Sequence, residues 1–221
     1  MGPAAPPVAA AVFGQALERA VAYAELLAGP GVERGLLGPH EADRIWERHL
    51  LNCAPLAALL PAGSALDLGS GAGLPGVVLA LLRPDCTFVL VDATRRRTEF
   101  LAEVIDRLGL PGVTVRWARA EELAGAVLVD AVVARAVAPL DRLARWSMPL
   151  LRPGGELLAI KGETADEEAA SAAAAVLAAG GTDIRVVRCS SGVVDLATTV
   201  VRVRRQDAGR TGRRKEGRRG R

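Results

Sequence analysis

The sequence predicts an α/β fold, in which a mainly parallel sheet of seven strands carries helices on both faces. Three observations point to this fold. From residue 64 onward, short apolar runs alternate with segments of helical periodicity. A turn rich in glycine, at 69–76, follows the first of these runs directly. The last two strand-like runs have no helix between them, which predicts an antiparallel strand at the C-terminal end.

The first part of the chain is typical of a helical extension that precedes the sheet. Apolar residues recur every three to four positions over 12–28, and the sequence Gly-Pro-Gly at 29–31 ends this helix. A second helix is predicted over 41–60, with a kink at Pro55. We therefore expect an extension at 12–62 behind a short disordered arm at 1–11.

The sheet and its helices are predicted to form one domain at 63–205. The predicted strands are 64–68, 86–92, 113–117, 129–134, 156–161, 182–189 and 198–204. The predicted helices are 75–83, 95–108, 119–124, 139–150 and 164–179. In an open sheet of this kind, ligands bind beyond the carboxyl ends of the parallel strands.

Size and composition narrow the classes of function. The chain has 221 residues, half of them hydrophobic, which suits a single domain with small extensions. We expect a cytoplasmic protein, because no apolar run is long enough for a membrane span and the first residues lack a basic signal region. Two histidines and three dispersed cysteines argue against a metal site. We expect a monomer. Trp46, Trp117 and Trp146 each lie in an apolar pattern, so we expect them in the core, and platforms on which bases stack are the alternative.

The positive charge is concentrated at the C-terminal end. The net charge of the chain is +3, yet residues 202–221 hold ten basic and only two acidic residues. The segment 206–221 is poor in apolar residues and is predicted to be disordered. One interpretation of 202–221 is a nucleic-acid tether that binds phosphates and weakens with salt. The alternative is a tail that only increases solubility.

The glycine-rich turn predicts a nucleoside ligand. Gly69, Gly71 and Gly73 alternate directly after the first strand, and glycine allows backbone to approach a ligand closely. Asp92 ends the second strand, where a carboxylate accepts hydrogen bonds from ribose hydroxyls. An ordinary acid in a turn is the alternative interpretation of Asp92.

Two cofactors fit the turn. The spacing of Gly71, Gly73 and Gly76, with Asp92 after them, also satisfies the dinucleotide motif, so an NAD-dependent oxidoreductase remains an alternative. Asp67, on the strand side of the glycines, would repel a pyrophosphate. S-adenosylmethionine has no phosphate and carries positive charge, so an acid favours it. We expect Asp67 to orient the turn and the amino end of the cofactor, or else to cap the following helix.

Several local motifs occur together along the chain. They are Arg-His-Leu-Leu-Asn at 48–52, Asp-Leu-Gly-Ser-Gly-Ala-Gly-Leu-Pro-Gly at 67–76, Arg-Pro-Asp at 83–85, Arg-Arg-x-x-Phe-Leu at 96–101, Arg-Ala-Glu-Glu at 119–122, Ala-Arg-Ala at 134–136 and Leu-Ala-Ile-Lys-Gly at 158–162. Over about 13–204, the chain resembles the RsmG (GidB) family of 16S rRNA guanine-N7 methyltransferases. The resemblance implies a Rossmann-like class I methyltransferase fold, S-adenosylmethionine as cofactor, and 16S rRNA or the small ribosomal subunit as partner.

The resemblance and the turn together give a set of candidate cofactor-binding residues. The resemblance implies Gly69, Leu74, Asp92, Ala120, Glu121 and Arg135, and the turn itself adds Asp67, Gly71 and Gly73.

No catalytic base is expected, because guanine N7 has a free lone pair. Arg135, Lys161 and His49 are candidates for positioning the target. The alternatives are a surface ion pair for Arg135, a surface lysine for Lys161 and a core histidine for His49.

Overall fold

The computed structural model describes residues 3–190 and 197–207. Within these residues, seven strands form one sheet of order β3-β2-β1-β4-β5-β7-β6. The strands are β1 (Ser64–Leu68), β2 (Thr87–Asp92), β3 (Val113–Trp117), β4 (Val129–Arg135), β5 (Leu151–Lys161), β6 (Gly181–Cys189) and β7 (Thr198–Arg205). Neighbours from β3 to β5 pair in parallel, whereas β7 is antiparallel to both β5 and β6. The predicted fold class is confirmed.

Helices cover both faces of this sheet. They are α1 (Pro7–Phe13), α2 (Leu17–Leu26), α3 (Gly76–Leu82), α4 (Arg95–Leu108), α5 (Leu140–Ser147) and α6 (Ala165–Ala178). Strand β1 shows how one strand serves two cores: Ala65 packs with the N-terminal helices, while Leu66 and Leu68 pack with α5 and α6 on the other face. This alternation follows from the two-residue period of a strand.

The N-terminal arm differs from the sequence prediction. Residues 7–11, which composition assigned to a disordered arm, belong to helix α1, where Ala9 is fully buried. The indole N–H of Trp46 donates a hydrogen bond of 2.9 Å to the carbonyl of Pro3, so the arm is fixed to the extension. Proline favours the first turn of a helix, and Pro7 starts α1.

The two helices predicted for the extension are also more irregular than periodicity indicates. The first is interrupted at Gly14, which has a φ of +48°, and ends in a π-helical turn at Leu27–Gly31. The second, predicted over 41–60, consists of a 3₁₀ segment (Pro39–Arg44), a π-helical segment (Ile45–Leu51) and another 3₁₀ segment (Ala54–Ala58). Pro55 has no N–H to donate, which breaks the regular ladder of hydrogen bonds.

Smaller differences concern element ends and the tail. Strand β5 begins at Leu151, five residues before the predicted start, because the Pro-Gly-Gly sequence at 153–155 stays within the strand. Of the tail predicted at 206–221, the structure describes only Gln206 and Asp207, and the rest lies outside the described residues. Among the described helices, none combines the length and apolarity that crossing a membrane requires.

Candidate functional site

The glycine-rich turn connects β1 to α3 at the carboxyl edge of the sheet. Gly69, Gly71 and Gly73 have φ values of +69°, +59° and +103°, which side chains other than glycine rarely adopt. A Cβ at Gly69 would lie 2.9 Å from the side chain of Val137. The sequence therefore needs glycine here both for backbone conformation and for space.

Asp67 lies beneath this turn. One carboxylate oxygen, Oδ2, accepts a hydrogen bond of 2.9 Å from the backbone N–H of Gly76, the first residue of α3. The other oxygen, Oδ1, is buried without a partner among the described residues. Burial raises the pKa of Asp67 to about 7. Of the two predicted roles, the structure shows the bond to the helix start directly.

Asp92 joins the tip of β2 to the turn. Its Oδ2 accepts a hydrogen bond of 3.0 Å from the N–H of Gly71 and lies 3.3 Å from Nη1 of Arg97. Its Oδ1 accepts a hydrogen bond of 2.8 Å from the N–H of Thr94. Although the residue is only 3% exposed, it borders a cleft, so its carboxylate is both fixed and accessible to a ligand.

That cleft, which we call the glycine-turn cleft, has a volume of about 230 Å³. It is formed by the ends of β1 and β2, the start of α4, the segment after β3, the turn after β4, and α5. Its lining residues are Leu68, Gly69, Val91, Asp92, Ala93, Thr94, Arg97, Ala118, Arg119, Ala120, Glu121, Val137 and Trp146. Its lining combines apolar side chains with the carboxylates of Asp92 and Glu121 and the guanidinium groups of Arg97 and Arg119, and a mainly apolar pocket with a few polar groups suits a nucleoside.

A second cleft, the arginine cleft, lies on the other side of the turn that follows β4. Its volume is about 490 Å³. The extension contributes Arg44, Glu47, Arg48 and Asn52, while the ends of β4 and β5 contribute Arg135, Ala136, Ile160, Lys161 and Gly162. The cationic groups outnumber the single carboxylate of Glu47 in this lining, so the cleft favours an anionic ligand.

The two clefts are neighbours. Ala136 lines the arginine cleft, and the next residue, Val137, lines the glycine-turn cleft. Strands β1 and β4 pair side by side, so their carboxyl ends bring the two openings to one edge of the sheet.

Two of the predicted target-positioning residues are held by protein groups. Lys161 donates to the carbonyl of Ala138 at 2.9 Å and pairs with Glu168 at 2.8 Å, with only 13% of its side chain exposed. Arg135 donates from Nη1 to Nδ1 of His49 at 3.1 Å. His49 is buried behind the wall of the arginine cleft and is absent from its lining.

The predicted cofactor-binding residues fall into separate groups. Gly69, Asp92, Ala120 and Glu121 line the glycine-turn cleft, and Arg135 lines the arginine cleft instead. Asp67, Gly71, Gly73 and Leu74 do not line either cleft. Leu74 is only 4% exposed and packs in the core that the N-terminal helices share.

Some lining residues were not found from the sequence. Trp146 was assigned to the core by its apolar pattern, but it is half-buried and lines the glycine-turn cleft. Trp117, also assigned to the core, is 62% exposed, with its indole N–H donating to the carbonyl of Ala93 at 3.0 Å. Only Trp46, which is 4% exposed, lies in the core as predicted. Periodicity shows which face of a helix or strand is apolar, but it does not show whether a residue on that face borders a cleft or lies in the core.

Comparison with known proteins gives a consistent result. A family model described as "rRNA small subunit methyltransferase G" (GidB) matches residues 16–197. The chain is 56% identical to the "Ribosomal RNA small subunit methyltransferase G" of Streptomyces avermitilis over 203 residues, which cover 91% of this chain and 85% of that protein. It is 54% identical to the protein of the same name from Mycolicibacterium gilvum, with 90% and 89% covered.

Solved structures share the fold at low identity. The apo form of the S-adenosylmethionine-dependent methyltransferase SibL superposes with a TM-score of 0.62 at 20% identity, covering 83% of this chain and 62% of that chain. The N-methyltransferase NodS from Bradyrhizobium japonicum WM9, in complex with S-adenosyl-l-homocysteine, gives a TM-score of 0.54 at 17% identity, with 80% and 97% covered.

Proposed function

Because this chain belongs to the family of rRNA small subunit methyltransferases G, we propose that it transfers a methyl group from S-adenosylmethionine to N7 of a guanine in 16S ribosomal RNA. The observation that supports this most strongly is the pair of adjacent clefts. One suits a nucleoside cofactor, the other suits an anionic polymer, and one short turn separates them.

The residues of the glycine-turn cleft fit the cofactor. Asp92 offers carboxylate oxygens with unused lone pairs, which can accept hydrogen bonds from ribose hydroxyls. Leu68, Ala120 and Val137 offer apolar contact to an adenine ring, and Glu121 lies at the same wall. Asp67 carries a buried, unpaired oxygen beneath the turn and has a pKa of about 7, and in its ionised form it adds negative potential where the cofactor is cationic.

The alternative of an NAD-dependent oxidoreductase is not supported. Although the turn satisfies the dinucleotide spacing, the family and the relatives named above are methyltransferases. The buried Asp67 beside the start of α3 also opposes a pyrophosphate at that helix.

The chemistry requires orientation more than acid–base catalysis. When bound, S-adenosylmethionine supplies an electrophilic methyl group, and guanine N7 needs no deprotonation before it attacks. What the chain must do is hold the base in line with that methyl group and exclude water. Arg44, Arg48 and Arg135 are placed to bind RNA phosphates beside the cleft, where they fix the position of the target nucleotide.

The same proposal assigns a role to the domain, to the extension and to the basic C-terminal segment. The methyltransferase domain comprises 63–205, and the extension at 12–62 supplies one wall of the arginine cleft. The basic segment 202–221 acts as a tether for RNA. Residues 202–205 of this segment form the end of β7, where Arg202 pairs with Glu156 at 2.8 Å, so we assign the tether itself to 206–221. We place the protein in the cytoplasm as a monomer that acts on the small subunit or its rRNA.

A labelling experiment tests the proposal. The protein is incubated with S-adenosylmethionine that carries a radioactive methyl group, and with either naked 16S rRNA or small subunits from cells that lack the endogenous enzyme. The RNA is then digested and its nucleosides are separated. We expect label in 7-methylguanosine. Label in another nucleoside, or none in either substrate, would overturn the proposal.

Calorimetry tests the identity of the cofactor, with NAD as the matched control ligand. S-adenosylmethionine is expected to bind to the protein alone, and NAD is not expected to bind.

A further inference from the structure

The ring of His49 is buried behind the wall of the arginine cleft. Only 7% of its side chain is exposed. It reaches from the extension to the end of β4, because it contacts Arg135, 86 positions further along the chain. Since His49 does not line either cleft, its effect on a ligand in either cleft would pass through its neighbours.

Three side chains form a continuous line at this point. Nη1 of Arg135 donates to Nδ1 of His49 at 3.1 Å. Nε2 of His49 lies 2.8 Å from Oε2 of Glu41, which is close enough for an ion pair but lacks the angles of a hydrogen bond. Nη1 of Arg135 also donates to the carbonyl of Arg48 at 3.3 Å. The line therefore runs from a carboxylate through an imidazole to the guanidinium that lines the cleft.

The protonation state of the ring follows from these contacts. Nδ1 accepts from a guanidinium that always keeps its protons, so Nδ1 carries no proton and the hydrogen of the neutral ring is on Nε2, the atom next to Glu41. Burial, together with the nearby charge of Arg135, lowers the pKa of His49 to about 4. The charged groups around the ring are Arg135, Arg48 and Glu41, and of these only Glu41 favours the protonated form. The ring is neutral at physiological pH.

The backbone next to Arg135 is also constrained. Ala136 has a φ of +55°, in the left-handed region that alanine rarely adopts. Such a conformation persists only where the surrounding structure imposes it, and it concentrates at functional sites. Arg135 is therefore fixed at its backbone by a strained turn and at its guanidinium by His49.

We propose that His49, oriented by Glu41, is a positioning residue for methyl transfer, because it holds the guanidinium of Arg135 in the arginine cleft next to the turn that separates the two clefts. This inference rests on the proposed function and deepens it. Among the described residues, only Nη1 of Arg135 makes hydrogen bonds, so Nη2 and Nε are left to bind the target nucleotide. His49 acts through Arg135 and not on the substrate itself.

Steady-state kinetics of His49 and Glu41 variants test the positioning role of His49. In His49→Ala, kcat is expected to fall by a factor of about 10 to 100, because a small displacement of a positioning group has large effects. KM for S-adenosylmethionine should stay within about twofold, since the glycine-turn cleft keeps its lining. His49→Asn should retain more activity than His49→Ala, because its amide oxygen replaces Nδ1 as the acceptor for Arg135. Glu41→Gln should give an intermediate loss.

A double-mutant cycle separates positioning from simple structural support. If His49 acts through Arg135, adding His49→Ala to Arg135→Ala should change kcat by less than about twofold. His40→Ala is the matched control, because His40 is exposed on the neighbouring segment, and it should behave as wild type. Additive losses in the double variant would overturn the proposal, as would equal activity of wild type and His49→Ala.

An NMR measurement that does not depend on activity distinguishes the positioning role of His49 from the proposed methyltransferase function. Nitrogen NMR of His49 should show one tautomer, protonated on Nε2, with an Nδ1 signal that shifts in Arg135→Ala. If wild type makes no 7-methylguanosine but this signal is as expected, the proposed function fails while the contact stands. If the two tautomers are equally populated, or if the Nδ1 signal does not respond to Arg135→Ala, the positioning proposal fails.

Discussion

The phenol hydroxyl of Tyr23 donates a hydrogen bond of 2.9 Å to the backbone carbonyl of Ala72, so helix α2 of the extension is bonded to the middle of the glycine-rich turn. Tyr23 is fully buried, and this burial raises the pKa of its phenol well above the usual value. A Cβ at Gly73 would lie 2.7 Å from the same hydroxyl. The extension therefore shapes both clefts: it supports the turn of one and supplies a wall of the other.

Removing this hydroxyl should weaken both the fold and the cofactor site. In Tyr23→Phe the carbonyl of Ala72 stays buried and loses its partner, which typically costs about 1–2 kcal/mol. We expect a decrease of that size in the free energy of unfolding and a several-fold weaker affinity for S-adenosylmethionine by calorimetry.

Ser64→Ala is the control for Tyr23→Phe. It removes the hydroxyl that, at the N-terminal end of β1, donates to the carboxylate of Asp130 and accepts from the N–H of Asp130 and from Arg152. It should reduce stability without changing cofactor affinity. If both variants lower the affinity equally, the bond to Ala72 has no special role.

Replacement of Asp92 by alanine should weaken cofactor binding directly. The carboxylate supports the turn through the N–H of Gly71 and also faces the glycine-turn cleft. The loss of a charged hydrogen bond corresponds to about 1.5–3 kcal/mol of binding free energy, or roughly 10- to 150-fold in the dissociation constant for S-adenosylmethionine. Asp85→Ala, which removes a carboxylate paired with Arg83, serves as the control. Unchanged affinity in Asp92→Ala would exclude Asp92 from the site.

Asp67 should make the protein less stable as the pH rises. Its pKa is about 7 in the folded protein and near 3.8 otherwise, so the folded state binds more protons between these values. The contribution of Asp67 to stability is therefore complete below about pH 4 and is lost as the pH rises through 7. Between pH 5 and pH 8 this group should lower the free energy of unfolding by about 2–3 kcal/mol.

Asp67→Asn tests that assignment, because its amide oxygen still accepts from Gly76 while the titration disappears. Denaturant unfolding of the cofactor-free protein at several pH values should show a smaller decrease towards high pH in this variant than in wild type. Parallel curves for the two proteins would show that Asp67 does not titrate in this range.

His49 should have the opposite pH dependence. Its pKa falls from 6.5 to about 4 on folding, so the folded state binds fewer protons in this window. Its contribution is complete above about pH 6.5 and is lost as the pH falls towards 4. In the background of Asp67→Asn, acid unfolding should begin at higher pH when His49 is present than in His49→Asn. Identical acid transitions would contradict the buried, neutral ring.

Deletion of 206–221 tests the tether. We expect the truncated protein to bind S-adenosylmethionine as before, because the glycine-turn cleft lies wholly within the described domain. Its affinity for 16S rRNA should fall, and the dependence of that affinity on salt should become weaker, since fewer phosphates are neutralised. A variant of full length with the tail arginines changed to serine controls for length. An unchanged salt dependence would assign the tail another role.

Periodicity and turn chemistry were enough to predict most of the sheet. The alternation of strands and helices from 64 onward, the glycine-rich turn and the final antiparallel strand are all local patterns, and the structure contains each of them. The extension was predicted less well. Prolines near the N-terminus suggested disorder, yet Pro7 begins a helix whose Ala9 is buried by tertiary packing.

The sequence by itself determined the fold class, the glycine-rich turn and the acids at its borders, because these depend on residues close together in the chain. Only the tertiary structure decided which groups meet: the hydroxyl of Tyr23 with the backbone carbonyl of Ala72, and the side chains of Glu41, His49 and Arg135 in one line. It also moved Trp117 and Trp146 out of the core. The contacts of Tyr23 with Ala72 and of His49 with Arg135 join residues that are 49 and 86 positions apart, so they depend on how the extension packs on the sheet, which local sequence patterns do not show.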